Sequence, residues 1–543
     1  MKYADLLLTN GRFITMEQPG EIVDTVAISD DKILFVGSEN DAKQYVDAQT
    51  KVVDLGGRVA SPGLIDCHTH PMASFAFRFT CVNLRGEKTA SLANMLDAIR
   101  AKAKETPKGE WIIARGFDES KFTDGPVAIT AKILDQATTE HPVFMSRTCG
   151  HIAVLNSAGM ERCGFTNDAE DPSTGGHFFR DEAGNLTGMI SGAALMNKVP
   201  LPSPTAAQRE KAMIDGVQAE YFRKGITATG EMGSAAPTFK AVQKLDQAGK
   251  LKLRIGFYYS GRRNPPNVPK AQMLTDVGML PGFGSKHFKF MGIKFVMDGS
   301  TGGRTAAFSL PYQNEPENFG ELYNDQDILN EDVLKSARAG VQISIHAIGD
   351  RAIEGALKAV EHAKANGVDT RALRIRFEHL ESPTPDQIRR IKELGINVGL
   401  SSAFIYHLGD SHLNALGYDR LVDAFPAKTL MEQGITVACN TDCPVCDVNP
   451  MYGIYSMVTR TTEAGESFGG EKEAIDRMQA LESYTKNGAY LLMQEDMLGT
   501  LKAGKYADIV VFEQDFLNVA DEELKDVQIH MTISGGEIVY QNT

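Results

Sequence analysis

The sequence holds no apolar run approaching the ~18 residues that cross a membrane as a helix. Its opening, Met1-Lys2-Tyr3-Ala4-Asp5, leads into no long apolar region and no small-residue cleavage site. These absences predict a cytoplasmic protein without a membrane partner. Positive charge is in short supply: 56 Lys and Arg stand against 70 Asp and Glu, a net charge of -14. That balance argues against nucleic acid or an anionic membrane surface as the main partner, and leaves the sign of any single site open. Cysteine is sparse too, with 7 in 543 residues. Cys443-x-x-Cys446 suits a zinc or redox element, but no second such pair exists, so Cys439, Cys443 and Cys446 read as buried or site-lining thiols. What remains, 42% hydrophobic and 23% charged residues, is ordinary for a soluble globular enzyme. The length suits one large catalytic domain plus a smaller one.

The stretch that organises the chain is Gly63-Leu64-Ile65-Asp66-Cys67-His68-Thr69-His70. Pro62-Gly63 breaks what precedes, Leu64-Ile65 read as buried strand, and the two histidines sit where the strand runs out. Alternate strand residues point the same way, so His68 and His70 can converge on one point. Two imidazoles so spaced suit a borderline metal such as zinc, although surface or capped core histidines fit the same pattern.

Residues before this stretch read as β-structure. Asp5–Thr15 is strand, Asn-Gly turn and strand, and a second hairpin turns about Ser29-Asp30-Asp31. The C-terminal end answers with a strand at Ile509–Phe512 and a hairpin over Met531–Tyr540 with Gly535-Gly536 at its tip. Short strands at both ends predict one composite β-sandwich from residues 1–60 and 498–543. Between them, over 61–497, strands alternate with helical segments, the signature of parallel β/α units. The candidate strands are Leu64–Cys67, Ile226–Thr229, Leu253–Tyr259, Gly292–Met297, Gln342–Ile345, Arg374–Phe377, Ile396–Leu400 and Thr436–Asn440. Eight is the number that closes a barrel. Residues 76–205 break the alternation and read as an inserted α+β subdomain over the barrel mouth.

Four more strand ends carry groups suited to a metal. His346 ends the fifth candidate strand, His379 follows the sixth, and Asp442 follows the eighth. The fourth buries Lys294 in an apolar run, which is costly for an unpaired ammonium. Taken singly, the histidines also fit satisfied core residues, Asp442 a turn cap and Lys294 a structural ion pair. Their joint placement at the C-terminal ends of barrel strands is where functional residues of such barrels lie.

With these residues in place, the chain resembles the amidohydrolase superfamily. Pro62–His70 looks like its opening metal motif. Lys294–Ala306, His346–Ile353, Glu378-His379 and Gly499–Val511 are similar to the amidohydrolase-3 branch that includes N-substituted formamide deformylase. The resemblance implies an α/β fold, a distorted TIM (β/α)8 barrel with a composite β-sandwich, holding one or two zinc or similar divalent ions. By family pattern His68 and His70 bind one metal and His346 and His379 a second. Lys294, carboxylated on its amine, bridges them, and Asp442 serves as both ligand and general base. Glu231 is a rival or additional carboxylate ligand.

The expected chemistry is cleavage of a non-peptide amide or formamide C–N bond by metal-activated hydroxide, with Asp442 moving the proton. The alternative is a cyclic-amidine or purine-type deaminase on the same scaffold, releasing ammonia. His151, in the insertion, and Arg304, on a glycine-rich loop, are the candidate donors to the substrate carbonyl, and each also has a structural reading. Trp111, Phe117, Phe122, Tyr406 and His407 are candidates to line an apolar pocket. The partner is a small amide-type molecule, and a homodimer is the default assembly.

Overall fold

The computed structural model describes residues 2–71, 81–84, 86, 89–119, 122–125, 127–148, 150–173, 175–261, 273–274 and 276–542. Eight strands form one parallel sheet in chain order: Leu64–Thr69, Ile226–Ser234, Arg254–Ser260, Phe288–Val296, Gln342–Ala347, Arg376–His379, Asn397–Leu400 and Val437–Cys439. These match the eight predicted strands with shifted ends, and they curl into a nearly closed TIM barrel. Strands buried on both faces read as near-continuous apolar runs, which is why the pattern was visible. The fourth strand starts earlier than predicted because Phe288-Lys289-Phe290 continues the pairing with the third. Gly292 looks like a breaker in the sequence, yet a Cβ there would stand 1.9 Å from the Gln342 carbonyl oxygen, so glycine permits the close approach of the fifth strand.

The barrel closes without a regular ladder between its last and first strands. Instead the Asp442 N–H donates to His68 O (3.1 Å), His70 N–H to Cys443 O (2.7 Å), and Thr441 binds Asp66 through its N–H (3.2 Å) and hydroxyl (2.5 Å). The seam of the barrel is thus the place where His68, His70 and Asp442 come together.

Helices cover the outside, among them Ala236–Gln247, Gln326–Arg338, Asp350–Ala365, Pro385–Leu394 and Ala403–Leu416. Pro385–Leu394 shows why the sequence stops and starts as it does. Thr384 and Gln387 form a capping box, Pro385 sits in the first turn, and Gly395 takes the left-handed C-cap at φ 70°.

Both chain ends meet in one six-stranded sheet, where Ile509–Phe512 pairs antiparallel with Val59–Pro62. A four-stranded sheet built from residues 6–54 packs on it through Leu6, Leu8, Val26, Ile28, Ile509, Val511 and Ile533. Arg254 of the third barrel strand ties this layer to the barrel by a two-pronged pair with Asp508 (2.8 and 2.9 Å). A second six-stranded sheet runs His177–Arg180, Leu186–Ser191, Ile152–Leu155, Val143–Arg147, Ile112–Phe117 and Val82–Asn83. It lies within the stretch read as an insertion, whose predicted start at 76 falls outside the described residues. Among the described residues no helix is long and apolar enough to cross a membrane.

Candidate metal centre

Four imidazoles, a lysine and a carboxylate converge at the C-terminal end of the barrel. Ligand atoms of His68, His379 and Asp442 lie within 4.8 Å of one another, and all three residues are buried. His70 Nε2 stands 3.1 Å from Asp442 Oδ1, His68 Nε2 3.4 Å from the same oxygen, and Lys294 Nζ 3.1 Å from His68 Nε2. The His346 and His379 ring centroids are 4.4 Å apart. His379 and Asp442 adopt positive φ, 69° and 51°, conformations that L-residues with side chains rarely take and that turn both ligands inward.

Three of the rings are oriented from behind. His68 Nδ1–H donates to Glu378 Oε2 (2.7 Å), so Nε2 faces the centre. His379 Nδ1–H donates to Ser401 Oγ (2.7 Å), whose own hydroxyl donates to Asn440 Oδ1 (2.8 Å). His346 Nε2–H donates to the Gly299 carbonyl (3.0 Å) and lies 3.2 Å from Asp298 Oδ1. Asp298 is held by the N–H groups of Ala307, Ile348 and Gly349 at 2.9, 3.1 and 2.9 Å. Such outer partners fix the tautomer and raise ligand basicity. Glu378 in turn takes two bonds from Arg376 (2.5 and 2.9 Å) and one from Ser344 (2.7 Å), all inside the barrel.

The electrostatics fit a cation. Burial, reinforced by Lys294 and the neighbouring histidines, holds His68 and His379 well below the usual imidazole range, so both present lone pairs. Burial pushes Lys294 down to about 8, against the opposing pull of Glu378 and Asp442. Among the described residues, buried Asp442 Oδ1 has no hydrogen-bond donor although it faces two imidazole nitrogens. A carboxylate oxygen and neutral imidazoles aimed at one point repel one another unless a cation lies between them. Glu231, the rival ligand, is buried on the bulged end of the second strand, accepts a hydrogen bond from Ser234 (2.5 Å), and is not part of the three-residue group.

The sequence profile described as "Amidohydrolase family" matches residues 51–540. The chain belongs to the amidohydrolase family. It is 28% identical to the "Putative amidohydrolase YtcJ" of Bacillus subtilis over 98% of this chain and 99% of that one. It is 23% identical to the "N-substituted formamide deformylase" of Arthrobacter pascens, over 99% of each. A solved structure of an uncharacterized metal-dependent hydrolase from Pyrococcus horikoshii superposes with a TM-score of 0.75 at 25% identity, covering 95% of this chain and 99% of that one. The protein is therefore a metal-dependent hydrolase.

Above the centre, this amidohydrolase has a small pocket walled by Asp442, His346, His379, Thr301, Glu381 and Phe404 together with Arg147 and His151 of the insertion. The predicted donor His151 does reach over the mouth, its ring centroid 5.6 Å from that of His346. Arg304 does not line the pocket. Its guanidinium clamps the mouth loops, donating to Gln313 O (2.8 Å), Glu315 (2.9 Å) and Asn414 (3.2 and 3.3 Å), which is the structural reading of that residue. The guanidinium in the pocket wall belongs to Arg147. A wider cleft of about 640 Å³ adjoins and holds Phe122 and His407 of the predicted aromatics, with Tyr452, Cys443 and Cys446. Trp111 and Phe117 pack instead into the apolar clusters of the insertion, and Tyr406 stacks on Tyr452 at 4.7 Å.

The roles of the supporting residues Arg376, Glu378, Ser344, Ser401 and Asp298 emerge only from the structure. The available signal was Arg376 and Glu378 at i and i+2 of a buried strand, two charges on one face where only a pair is tolerable.

Proposed function

We propose that the protein hydrolyses an amide- or formamide-type C–N bond of a small, non-peptide substrate. The observation that carries this reading is the buried, undonated Asp442 oxygen at the floor of a pocket roofed by His151. A base for a water proton, Asp442, and a donor for a carbonyl oxygen, His151, thus line the same pocket. The printed name of the Arthrobacter pascens relative supports the same bond type.

His68, His379 and Asp442 would hold a divalent ion such as zinc, with His70, His346 and Lys294 beside them for a second. Such an ion supplies Lewis acidity and lowers the pKa of water to about 7. Asp442 accepts the proton of the attacking water and returns it to the leaving nitrogen, which departs as a neutral amine. His151 hydrogen-bonds the carbonyl oxygen as negative charge grows there. Lys294, with its amine at about 8, has uncharged lone pair enough near neutral pH to add carbon dioxide, which makes the anion its buried position favours.

The test is product analysis on N-formyl and N-acetyl amines with zinc-loaded protein, following amine and ammonia separately. Amine released one-for-one with acid, without ammonia, is expected. Ammonia from cyclic amidines or purines, with no amine from any amide, would replace this reading by the deaminase.

A further inference from the structure

The inner pocket opens into the outer cleft past Leu408 and Val445, which line both. The cleft is the larger space, about 640 Å³, so the part of a substrate that extends beyond the metal centre lies in it. Its walls differ in charge. On the insertion's side stand Arg115, Asp118 and Arg147, and the last is bound by Asp118 (2.9 Å) and Glu119 (3.1 Å). On the barrel's side Tyr452 and His407 share the wall with Asp447 and Glu463, and no described lysine or arginine lines that side. Asp447 is exposed, its carboxylate accepts the Asn449 N–H (2.9 Å), and among the described residues it makes no ion pair.

Tyr452 stacks on Tyr406 at 4.7 Å and 15°, and His407 stands nearly edge-on to both, 4.8 and 5.0 Å away. Tyr406 does not line the cleft, so the Tyr452 face turned away from it is the one on the cleft side. The ring sits among negative charges: burial first, then Asp447, Asp526 and Glu463, raises its hydroxyl above the ordinary value. Asp526 has Lys525 beside it at 3.6 Å, a partner that Asp447 lacks. An aromatic face flanked by carboxylates favours an ammonium group, which is attracted by the ring quadrupole and by both charges. A carboxylate would be repelled there, and an alkyl end would gain the ring contact alone.

We infer that the outer cleft binds the remote end of the leaving amine and takes a second, protonated amine there, against Tyr452, Asp447 and Glu463. This rests on the amide-hydrolase reading for what lies at the metal centre. The substrate class is then a mono-N-acylated diamine, split by water into a carboxylic acid and the free diamine.

Matched probes test it on the zinc-loaded protein: N-formylputrescine, N-formylcadaverine, N-formylpentylamine and N-formyl-δ-aminovalerate. The first two end in an ammonium, the third in a methyl and the fourth in a carboxylate. Hydrolysis is followed as kcat and KM, and binding by saturation-transfer NMR. The wild type should favour the better diamine over the pentylamine roughly tenfold, mostly in KM, as a cation–π contact with a screened ion pair gives. Salt at about 1 M should cut that ratio, since exposed charges are then screened beyond about 3 Å. Asp447→Asn keeps the oxygen that accepts the Asn449 N–H, and Glu463→Gln is nearly isosteric; each should lower the ratio at low salt. Asp447→Lys should turn the preference toward the aminovalerate. A merely structural Asp447 would change all four probes alike. A wild type that favours the pentylamine or the aminovalerate, or a ratio unchanged by salt or in both carboxamide variants, overturns the inference. Cleavage of all four probes without preference sinks it and leaves the amidase reading standing. Salt-sensitive, Asp447-dependent binding of the diamines without cleavage does the reverse, and neither binding nor cleavage of any probe ends both.

Discussion

Glu378→Gln removes one negative charge from beneath the metal centre with almost no change in volume. In the wild type the carboxylate accepts four bonds, two from Arg376 and one each from Ser344 and His68, and neither it nor Arg376 is exposed. A glutamine offers one acceptor oxygen to those donors and turns an NH2 group toward the rest. Arg376 would then be a buried cation whose remaining bonds are a carbonyl at Cys67 (3.1 Å), the Cys67 sulfur (3.4 Å) and the Tyr258 hydroxyl (3.4 Å). Breaking a buried pair in this way costs about 3–5 kcal/mol. His68 also loses the carboxylate that fixes its tautomer, which should weaken metal binding roughly 10- to 100-fold. Urea unfolding of the metal-free protein reads the first effect and competition with a chelating dye reads the second. The joint variant Arg376→Met, Glu378→Met separates them: stability should largely return, since no lone charge remains, while the metal affinity stays low. A Glu378→Gln protein within 1 kcal/mol of wild type (roughly a fivefold change in the folding constant) and with unchanged metal affinity would show that Glu378 neither pairs Arg376 nor orients His68.

Two other residues give sharp expectations. Burial, with Arg147 nearby, holds His412 at about 3 against an ordinary 6.5, so the folded state binds fewer protons than the unfolded state between those values. Stability from this residue is present above about pH 6.5 and is lost as pH falls toward 3; His412→Gln should flatten that part of the stability curve by up to a few kcal/mol, and an identical pH profile would contradict it. For Lys294, protein equilibrated with 13C-bicarbonate should show a bound carbamate carbon by NMR that Lys294→Ala lacks. A wild-type spectrum with no such carbon would remove the carboxylated lysine.

Much of this was legible because the barrel writes itself in apolar runs ending in polar residues. His68, His346, His379 and Asp442 each follow such a run, and the structure brings them to one end of the barrel. Periodicity does not encode what lies behind a ligand. Ser401 and Asn440 belong to different strand ends, and only the pairing of neighbouring barrel strands sets them behind His379. Arg304 and Arg147 show the same limit from the other side. Both stand near glycines beside the mouth in sequence or space, but the left-handed backbone at Arg304 (φ 54°) sends its side chain to Glu315, while the end of a strand in the insertion delivers Arg147 to the pocket. Distant pairing of that kind depends on how the insertion packs against the barrel, which no local pattern states.

A divalent ion held at His68, His379 and Asp442 should support C–N hydrolysis with Asp442 moving the proton. The most direct test titrates zinc into metal-free wild type and Asp442→Asn while recording bound metal and amine release from the best N-formyl amine. Wild-type activity should rise in step with bound zinc and level off at a whole-number ratio. Asp442→Asn should still bind zinc through the histidines and turn over on the order of 10³-fold more slowly. Full turnover by Asp442→Asn, or wild-type activity that does not follow the metal, would contradict the account.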